Sequence, residues 1–341
     1  LFREVQNMTI KPIIKNSSNI EEFLKFKNIS NLLDGEELKK TQNIVILGNF
    51  DGIHKGHKKI FERAIKKAKE KGYKTIIYTF YEYPQKKENR ITTPSEKLEL
   101  ISNFDIDYVY IDNFENVKNL LPEEFIEKIL IEKLNVREIY CGFNFTFGKD
   151  KSGNTNILSN ILERKYNRKI LLNIQPPILD NENEIISSTR IRKYIETSNL
   201  IKSKELLGHN YIIMGEVVHG KKLGRTLGFP TANLTFKNKV YPSFGVYGVY
   251  IRIENDSNIY HGVMNIGKNP TVNSNSLNVE TNIFDFNEDI YGKIITIEVL
   301  EKISDEKKLN SLEELTQKIS NNVNTWRKRI NEKYHNKYKN R

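Results

Sequence analysis

The feature that most constrains this chain is a change in its hydrophobic pattern near residue 208. Before this point, from Ile44 to about Leu207, short runs that are apolar almost throughout alternate with segments of helical periodicity. Strands buried on both faces of a sheet have such continuous apolar runs. The succession of strand, helix and strand therefore predicts a doubly wound α/β domain with a parallel sheet. The strands are predicted at 44–47, 75–80, 108–111, 138–141 and 170–174, and helices at 58–71 and from Pro122 onward.

After this point, strand-like runs follow one another without a long helix between them. Clusters of Gly, Pro, Asn and Asp separate the runs, which lie at 212–218, 246–253, 259–266, 282–286 and 294–300. This pattern is typical of an antiparallel barrel or sandwich. One helix follows, with Ser311 as its N-cap and Glu314 three residues later. We therefore expect two domains, at 8–207 and 208–325, which suits a chain of 341 residues.

Composition excludes several classes of protein. With 38% hydrophobic and 28% charged residues, the chain is globular rather than disordered, and no run approaches the roughly 20 apolar residues that span a bilayer. The one cysteine, Cys141, cannot form an intrachain disulfide, so we expect a cytoplasmic protein. Residues 1–7 lack the basic and apolar segments of a signal peptide, and Met8 is the expected natural start.

The net charge of +11 raises the question of a nucleic-acid partner. Residues 326–341 hold seven basic residues and one acidic residue, so this expected basic tail carries +6 of the total. The remaining +5 is spread over 325 residues and requires no partner beyond the phosphates of a nucleotide. The distribution favours small-molecule substrates over nucleic acid or a membrane.

The first predicted strand leads into the first helix through residues 47–57, which contain three glycines and two histidines. Ligands of open α/β sheets bind at the carboxyl ends of strands, and a helix start offers N–H groups to anions. His54 and His57 lie on one side of the first helical turn and can donate hydrogen bonds to phosphoryl oxygens. Such a pair could instead bind zinc, but a third ligand is wanted and the chain has a single thiol. The pattern therefore favours a phosphate site.

A second glycine-rich segment, residues 215–234, begins the all-β part. Gly215, Gly220, Gly224 and Gly228 alternate with the basic residues Lys221, Lys222 and Arg225, as in a cationic loop suited to polyphosphate. Thr231 and Asn233 would present two oxygen ligands for Mg²⁺ on one face of an extended chain. Spacing alone supports a hairpin loop equally well.

Both segments resemble known families. Residues 48–57 resemble the His-x-Gly-His signature of nucleotidyltransferases, in the form found in bacterial FAD synthetases. Residues 141–148 and 186–192 resemble the Gly-x-Asn-Phe-x-Phe-Gly and Ser-Ser-Thr-x-Ile-Arg motifs of the same family. Residues 215–234 are similar to the Gly-x-x-x-Gly-Arg-x-Leu-Gly-Phe-Pro-Thr-Ala-Asn signature of riboflavin kinases. Four later segments match that family in order: 245–247, 262–271, 279–281 and 289–292.

The resemblance implies a bifunctional riboflavin kinase and FAD synthetase (FMN adenylyltransferase), with a Rossmann-like first domain and a β-barrel kinase domain. It implies that Glu280 is the general base on the ribityl 5′-hydroxyl, and that Thr231 and Asn233 hold Mg²⁺ with ATP. His54 and His57 would stabilise the charged α-phosphorus. The implied nucleotide- and flavin-binding residues are Gly48, Asn49, Phe50, Asp51, Gly52, Asn144, Ser188, Thr189, Arg192, Gly220, Lys222, Gly228 and Pro230.

Two departures from the family patterns leave alternatives open. Tyr83 stands where a FAD synthetase commonly has histidine, and Ser304 stands where a riboflavin kinase commonly has arginine. One activity could therefore have been lost. From a different class, the chain could be a flavin- or nucleic-acid-binding module that uses its basic tail.

Overall fold

The computed structural model describes residues 11–14, 38–81, 89–220, 228–236, 239–268, 277–307 and 311–334. The chain divides into two compact units, Leu1–Ser188 and Thr189–Arg341. The structure divides between residues 188 and 189, whereas the sequence analysis placed the domain boundary between 207 and 208, two short helices later. The boundary at 207/208 between the two functional domains stays a prediction.

In the described part of the first unit, six parallel strands form a sheet in the order β1-β4-β3-β2-β5-β8. The strands are β1 (Lys11–Ile14), β2 (Asn43–Leu47), β3 (Lys74–Phe80), β4 (Tyr108–Asp112), β5 (Val136–Gly142) and β8 (Leu171–Gln175), with a small hairpin of β6 (Thr146–Phe147) and β7 (Gly153–Asn154). The helices are α1 (Lys55–Lys71), α2 (Pro94–Ile101), α3 (Phe114–Val117), α4 (Pro122–Phe125, continued by π-helical turns through Ile131) and α5 (Thr155–Tyr166).

The central strands of this sheet are buried on both faces. On β2, Val45 and Leu47 belong to one apolar core, and Ile44 and Ile46 belong to a second core on the opposite face. Helix α1 adds the predicted apolar stripe to the second core and ends at Gly72, whose φ of 68° is left-handed. The doubly wound α/β fold predicted from the pattern is confirmed.

The described part of the second unit combines two short helices, an antiparallel sheet and a long C-terminal helix. The helices are α6 (Ser188–Glu196), which begins at the boundary between the units, α7 (Leu200–Leu207) and α8 (Leu312–Arg329). The sheet has the order β10-β13-β12-β11-β14-β9. Its strands are β9 (Tyr211–Glu216), β10 (Ala232–Phe236), β11 (Gly245–Ile253), β12 (Ile259–Lys268), β13 (Leu277–Ile283) and β14 (Ile294–Asp305).

The two end strands of this sheet meet. The backbone N–H of Val218, just after β9, donates to the carbonyl of Asn233 on β10 at 2.9 Å, and the two residues form an antiparallel bridge. The sheet therefore curls toward a barrel, and of the two predicted architectures the barrel is confirmed. No described helix is both long enough and apolar enough to cross a membrane.

One strand of the barrel lies earlier than predicted. The prediction at 282–286 followed its aromatic residues, whereas β13 spans Leu277–Ile283. The backbone turns at Asp285, whose φ is 54°, and Phe284 packs into the cluster formed by Val263, Val323 and Trp326. As a result, Glu280 lies in the middle of a strand.

The first part of the expected basic tail is a packed helix. Trp326 on α8 is fully buried, and a Cβ on Gly248 of β11 would lie 2.4 Å from its indole ring. Arg327 donates two hydrogen bonds to Asp285, at 3.0 and 2.8 Å, and Arg329 donates to Glu301 at 2.7 Å. Residues up to 334 are thus part of the second unit, and 335–341 lie outside the described residues.

Candidate active sites

The loop after β2 is built on left-handed backbone. Phe50, Gly52 and Ile53 have φ values of 52°, 82° and 42°, of which only the glycine adopts such a conformation without cost. The ring of Phe50 folds back over Gly48, where a Cβ would lie 2.6 Å from it. Gly48 therefore has a packing role in addition to the close phosphate approach expected from the sequence.

Asp51 fastens this loop to the segment before α2. Its buried carboxylate accepts hydrogen bonds from the backbone N–H groups of Ile91, at 2.9 and 3.1 Å, and Thr92, at 3.0 Å. The Thr92 hydroxyl in turn accepts from the N–H of Gly52 at 3.0 Å. Through these hydrogen bonds, the carboxylate of Asp51 holds the loop in a fixed conformation. The binding role expected for Asp51 and Gly52 stays a prediction.

The two histidines meet face to face at the start of α1. His54 is the N-cap, and its Nδ1 accepts from the N–H of Gly56 at 3.1 Å, so this nitrogen is deprotonated. The ring of His57 stacks on the ring of His54, with centroids 3.6 Å apart, and meets Phe50 edge-on at 5.2 Å. The predicted placement on one side of the helical turn is what the structure has.

His57 is held neutral by its surroundings. Burial lowers its pKa well below the usual value, and the nearby His54 and Lys97 lower it further. Its buried Nδ1 has no hydrogen-bond partner among the described residues. A neutral imidazole in a desolvated position can donate one hydrogen bond to a phosphoryl oxygen.

A small cleft adjoins the loop on the β3 side. It is shallow and open to solvent, and it is lined by Asn49, Asp51, Phe80, Tyr81, Arg90, Thr92 and Lys97. Asn49 and Asp51 were expected at the site from the sequence. Arg90, Thr92 and Lys97 were not, since they lie about 40 residues later in a segment without glycines or histidines. Tyr83 lies outside the described residues.

The remaining predicted residues of the first site lie at the end of β5 and on α6. Asn144 is exposed just beyond β5, and its Oδ1 would lie 3.2 Å from a Cβ on Gly142. The Ser188 hydroxyl donates to the carbonyl of Asp51 at 3.0 Å, which brings the first residue of α6 against the histidine loop. Thr189 is exposed and Arg192 is buried on the same helix, in the part that belongs to the second unit.

In the second unit, strand register aligns the predicted residues. Glu280 on β13 is the register partner of Asn233 on β10 and of Asn265 on β12. Directly opposed residues of antiparallel strands point to the same face, so the carboxylate lies between two amides. The row continues through Val246 to Ser304. Asn265 was not assigned a role from the sequence, because nothing in a linear motif tells which residue will oppose the acid.

The glycine-rich loop packs onto this row. A Cβ on Gly220 would lie 2.5 Å from the amide of Asn233, so position 220 accepts only glycine if Asn233 keeps its place. The Asn233 Nδ2 donates to the carbonyl of Thr231 at 3.2 Å, and the Pro230 carbonyl accepts from Asn282 at 2.8 Å. Gly228 is left-handed, with φ 82°. Lys222 lies in 221–227, outside the described residues.

Glu280 is half-buried, and a neighbouring side chain holds its carboxylate in place. Its Oε1 accepts a hydrogen bond from Asn278 Nδ2, two residues earlier on the same face, at 2.7 Å. At the other end of the row, the buried Ser304 hydroxyl has no hydrogen-bond partner among the described residues. The serine thus leaves a polar atom unused where an arginine is common in the family it resembles.

Comparison with known proteins assigns a family to both parts of the chain. Residues 36–190 match the family model described as FAD synthetase, and residues 207–330 match the model described as riboflavin kinase. The curated bifunctional riboflavin kinase/FMN adenylyltransferase of Bacillus subtilis is 35% identical over 82% of this chain and 90% of its own length. The protein of the same name from Escherichia coli is 32% identical over 81% of this chain and 89% of its own length.

A solved structure agrees in fold. The crystal structure described as a macrolide-efflux protein from Streptococcus pneumoniae has a TM-score of 0.72 and 33% identity, and it covers 84% of this chain and 94% of its own. Both family models match in the order in which the two units occur, and the relatives named here are covered almost completely. The chain belongs to the bifunctional riboflavin kinase/FMN adenylyltransferase family.

Proposed function

We propose that the second unit transfers the γ-phosphoryl group of ATP to riboflavin, giving FMN, and that the first unit joins FMN to the AMP moiety of a second ATP, giving FAD and pyrophosphate. Membership of the family and the match to both family models support these two reactions. The observation that carries the assignment of residues is the row in which Glu280 lies between Asn233 and Asn265.

In the kinase reaction, Glu280 is the general base. It takes the proton from the ribityl 5′-hydroxyl as that oxygen attacks the γ-phosphorus. The hydrogen bond from Asn278 fixes one carboxylate oxygen and leaves the other to accept the proton. Because Glu280 lies in mid-strand, its position is set by the ladders on both sides rather than by a loop.

Thr231 and Asn233 would hold Mg²⁺ together with ATP. Hydroxyl, carbonyl and amide oxygens are the hard ligands that this ion takes, alongside phosphate oxygens and water. Gly220 packs directly against the Asn233 amide, since a Cβ there would lie 2.5 Å from it, and this contact supports the amide in the position proposed for an ion ligand. When bound, the ion would neutralise the charge of the transferring phosphoryl group.

In the adenylyl transfer reaction, the stacked pair His54 and His57 faces the α-phosphate. Transfer occurs when the FMN phosphate oxygen attacks the α-phosphorus and pyrophosphate leaves, and negative charge grows on the phosphoryl oxygens. A neutral, desolvated imidazole stabilises that charge by donating a hydrogen bond that needs no rearrangement at the moment of reaction. The other predicted phosphate ligands are Ser188, Thr189 and Arg192.

Crossed variants test this division of roles. The protein is given riboflavin and Mg-ATP, or FMN and Mg-ATP, and the flavins are separated by chromatography. Glu280→Gln should lower FMN formation by roughly 10²- to 10⁴-fold, the range of general base catalysis, and leave FAD formation from supplied FMN unchanged. His57→Ala should do the reverse. Glu288→Gln, at an exposed glutamate of the second unit, serves as the control that changes neither.

Equal losses in both reactions for either variant would refute the assignment, as would FMN accumulation without FAD in the unaltered protein. The latter result would instead support a chain that has lost its adenylyltransferase activity.

The structure also supports proposals about the binding partners of the protein and its location in the cell. We infer that the partners are small molecules, because the basic side chains of Arg327 and Arg329 are engaged with Asp285 and Glu301 rather than presented as a patch. A cytoplasmic location is proposed from the single buried thiol of Cys141, whose pKa burial raises to about 12.

A further inference from the structure

A buried lysine lies beside the histidine loop and has no role in the mechanism described so far. Lys97 is on α2, only 6% exposed, and reaches the carboxyl end of β3. There its ammonium donates to the Thr79 hydroxyl at 3.1 Å and to the Phe80 carbonyl at 3.2 Å. An ammonium group has three N–H donors, so these two bonds leave one donor for the cleft that Lys97 lines.

The cleft around Lys97 carries positive charge. Its charged lining residues are Asp51, Arg90 and Lys97, and the Asp51 carboxylate is turned toward the backbone N–H groups of Ile91 and Thr92. Burying a lysine without a direct ion-pair partner is costly unless something else compensates its charge. The contacts in the described residues are to a neutral hydroxyl and a carbonyl, which compensate it only in part.

We propose that Lys97 binds a phosphate group of the adenylyl transfer substrates in this cleft, next to His54 and His57. The proposal rests on the function proposed for the first unit and deepens it by adding a cation to the site. The chemistry that fits is a phosphate monoester or polyphosphate, which could be the phosphate of FMN or the triphosphate of ATP. Asn49, at the rim of the same cleft, connects it to the loop that carries the histidines.

The charge on Lys97 should respond to the ligand. Burial lowers its pKa to about 7, with Arg90 lowering it and Asp51 raising it, and Lys97 in turn lowers the pKa of His57. A phosphate dianion within hydrogen-bond distance stabilises the ammonium form. Near neutral pH, anion binding should therefore be accompanied by proton uptake, which calorimetry detects when the buffer is changed.

The competing explanation is structural, with Lys97 only bracing the end of β3. Lys97→Met keeps the apolar stem and removes the charge, whereas Thr79→Val removes part of the brace and keeps the ammonium. Lys66→Met, at an exposed position of α1, is the matched control for loss of one positive charge. Circular dichroism and thermal unfolding report in each variant whether the first unit is folded, and FMN formation from riboflavin is the internal control for an intact second unit.

We expect Lys97→Met to raise the KM for FMN or for ATP in FAD formation at least 10-fold, with FMN formation unchanged. The substrate whose KM rises identifies the source of the phosphate. Thr79→Val should change either KM by less than 3-fold, and Lys66→Met neither. Equal effects of Lys97→Met and Thr79→Val, or unchanged KM values with a lower kcat, would overturn the proposal.

Direct binding separates failure of this proposal from failure of the proposed function. Calorimetric titration of the whole protein with FMN, ATP or pyrophosphate at pH 7.5, in two buffers of different ionisation enthalpy, needs no turnover. Proton uptake in the unaltered protein that disappears in Lys97→Met supports the proposal even if no FAD is made. Uptake that persists in the variant, or no binding of any of the three anions, contradicts it.

Discussion

Both proposed sites would hold ATP phosphates beside a flavin, but they are built from different kinds of structural element. The first unit uses a loop at the carboxyl end of a parallel sheet, with left-handed residues such as Phe50 and a buried acid, Asp51, that ties the loop down. The second unit uses the face of an antiparallel sheet, where register alone places Glu280 between Asn233 and Asn265. A loop site depends on local strain and burial, whereas a sheet-face site depends on the integrity of the whole barrel.

The largest expected effect comes from weakening the core packing of the barrel at a residue that has no proposed part in the reaction. Trp326 is fully buried and packs over Gly248 of β11, so Trp326→Ala should cost about 3–5 kcal/mol in the free energy of unfolding of the second unit. FMN formation should then fail at lower temperature than FAD formation from supplied FMN. The measurement is residual activity of each reaction after heating, with circular dichroism as the probe of unfolding because Trp326 is the one tryptophan of the chain.

Trp326→Phe is the matched control, since it keeps an aromatic ring over Gly248 and should recover most of the stability. Equal heat sensitivity of both reactions in Trp326→Ala would contradict the claim that the sheet-face site alone depends on this packing.

A smaller change tests the sheet-face site itself. Gly220→Ala places a methyl group 2.5 Å from the Asn233 amide, and the amide must move or the loop must lift. We expect FMN formation to fall about 10- to 100-fold, in line with the loss caused by a displacement of about 1 Å in a catalytic site, while FAD formation is retained. Initial rates with riboflavin and with FMN measure the two effects.

Gly292→Ala provides the comparison within the same unit. Gly292 is left-handed, with φ 76°, and a Cβ there would meet no atom within 4 Å. It should therefore cost about 1 kcal/mol of stability without the loss of FMN formation. If both alanine variants reduced FMN formation equally, the contact with Asn233 would not be the cause.

Much of the fold follows from hydrophobic pattern alone. Continuous apolar runs located the buried parallel strands, and the change of pattern near residue 208 separated the α/β part from the barrel. The wrong bounds predicted for β13 show that the hydrophobic pattern does not always locate the end of a strand. Phe284 and Phe286 are aromatic because they pack against Trp326 and Tyr260, and burial after a strand looks the same in sequence as burial within it.

Without the family resemblance, residues could be grouped into a site only where they are close in sequence. His54 and His57 are three residues apart, so helical geometry places them together, and the structure has their rings stacked. Asn265 and Lys97 were missed because their places depend on strand register and on the packing of α2. Neither quantity can be derived from a single motif, and in the sequence Lys97 stands between Glu96 and Glu99 like a residue of an ordinary charged helix face.

The smallest effect we predict concerns acid, and at the loop site it comes from His57. The pKa of His57 is lower in the folded protein than the usual 6.5 or so of an unfolded chain. Between those two values the unfolded state binds the extra proton, so the contribution of His57 to stability is complete above about pH 6.5 and is lost as the pH falls toward the folded pKa. The slope is at most about 1.4 kcal/mol per pH unit.

Lys97 does not interfere in this window. Its folded pKa of about 7 is also lowered, but the difference from the unfolded chain extends upward from 7 to about 10.4. From about pH 6 downward it is almost fully protonated in both states, and its contribution is constant. Urea unfolding of the whole chain at pH 6 and pH 5, followed by circular dichroism, should therefore show a loss of stability that His57→Gln reduces. Lys97→Met should leave most of this loss in place, because burial is the largest cause of the low pKa of His57 and Lys97 only adds to it. His261 in the second unit, whose pKa burial also lowers, contributes equally in all three proteins. An acid loss as large in His57→Gln as in the unaltered chain would show that burial of this imidazole is not what makes the loop site acid-sensitive, and the contrast between the two sites would then rest on backbone strain alone.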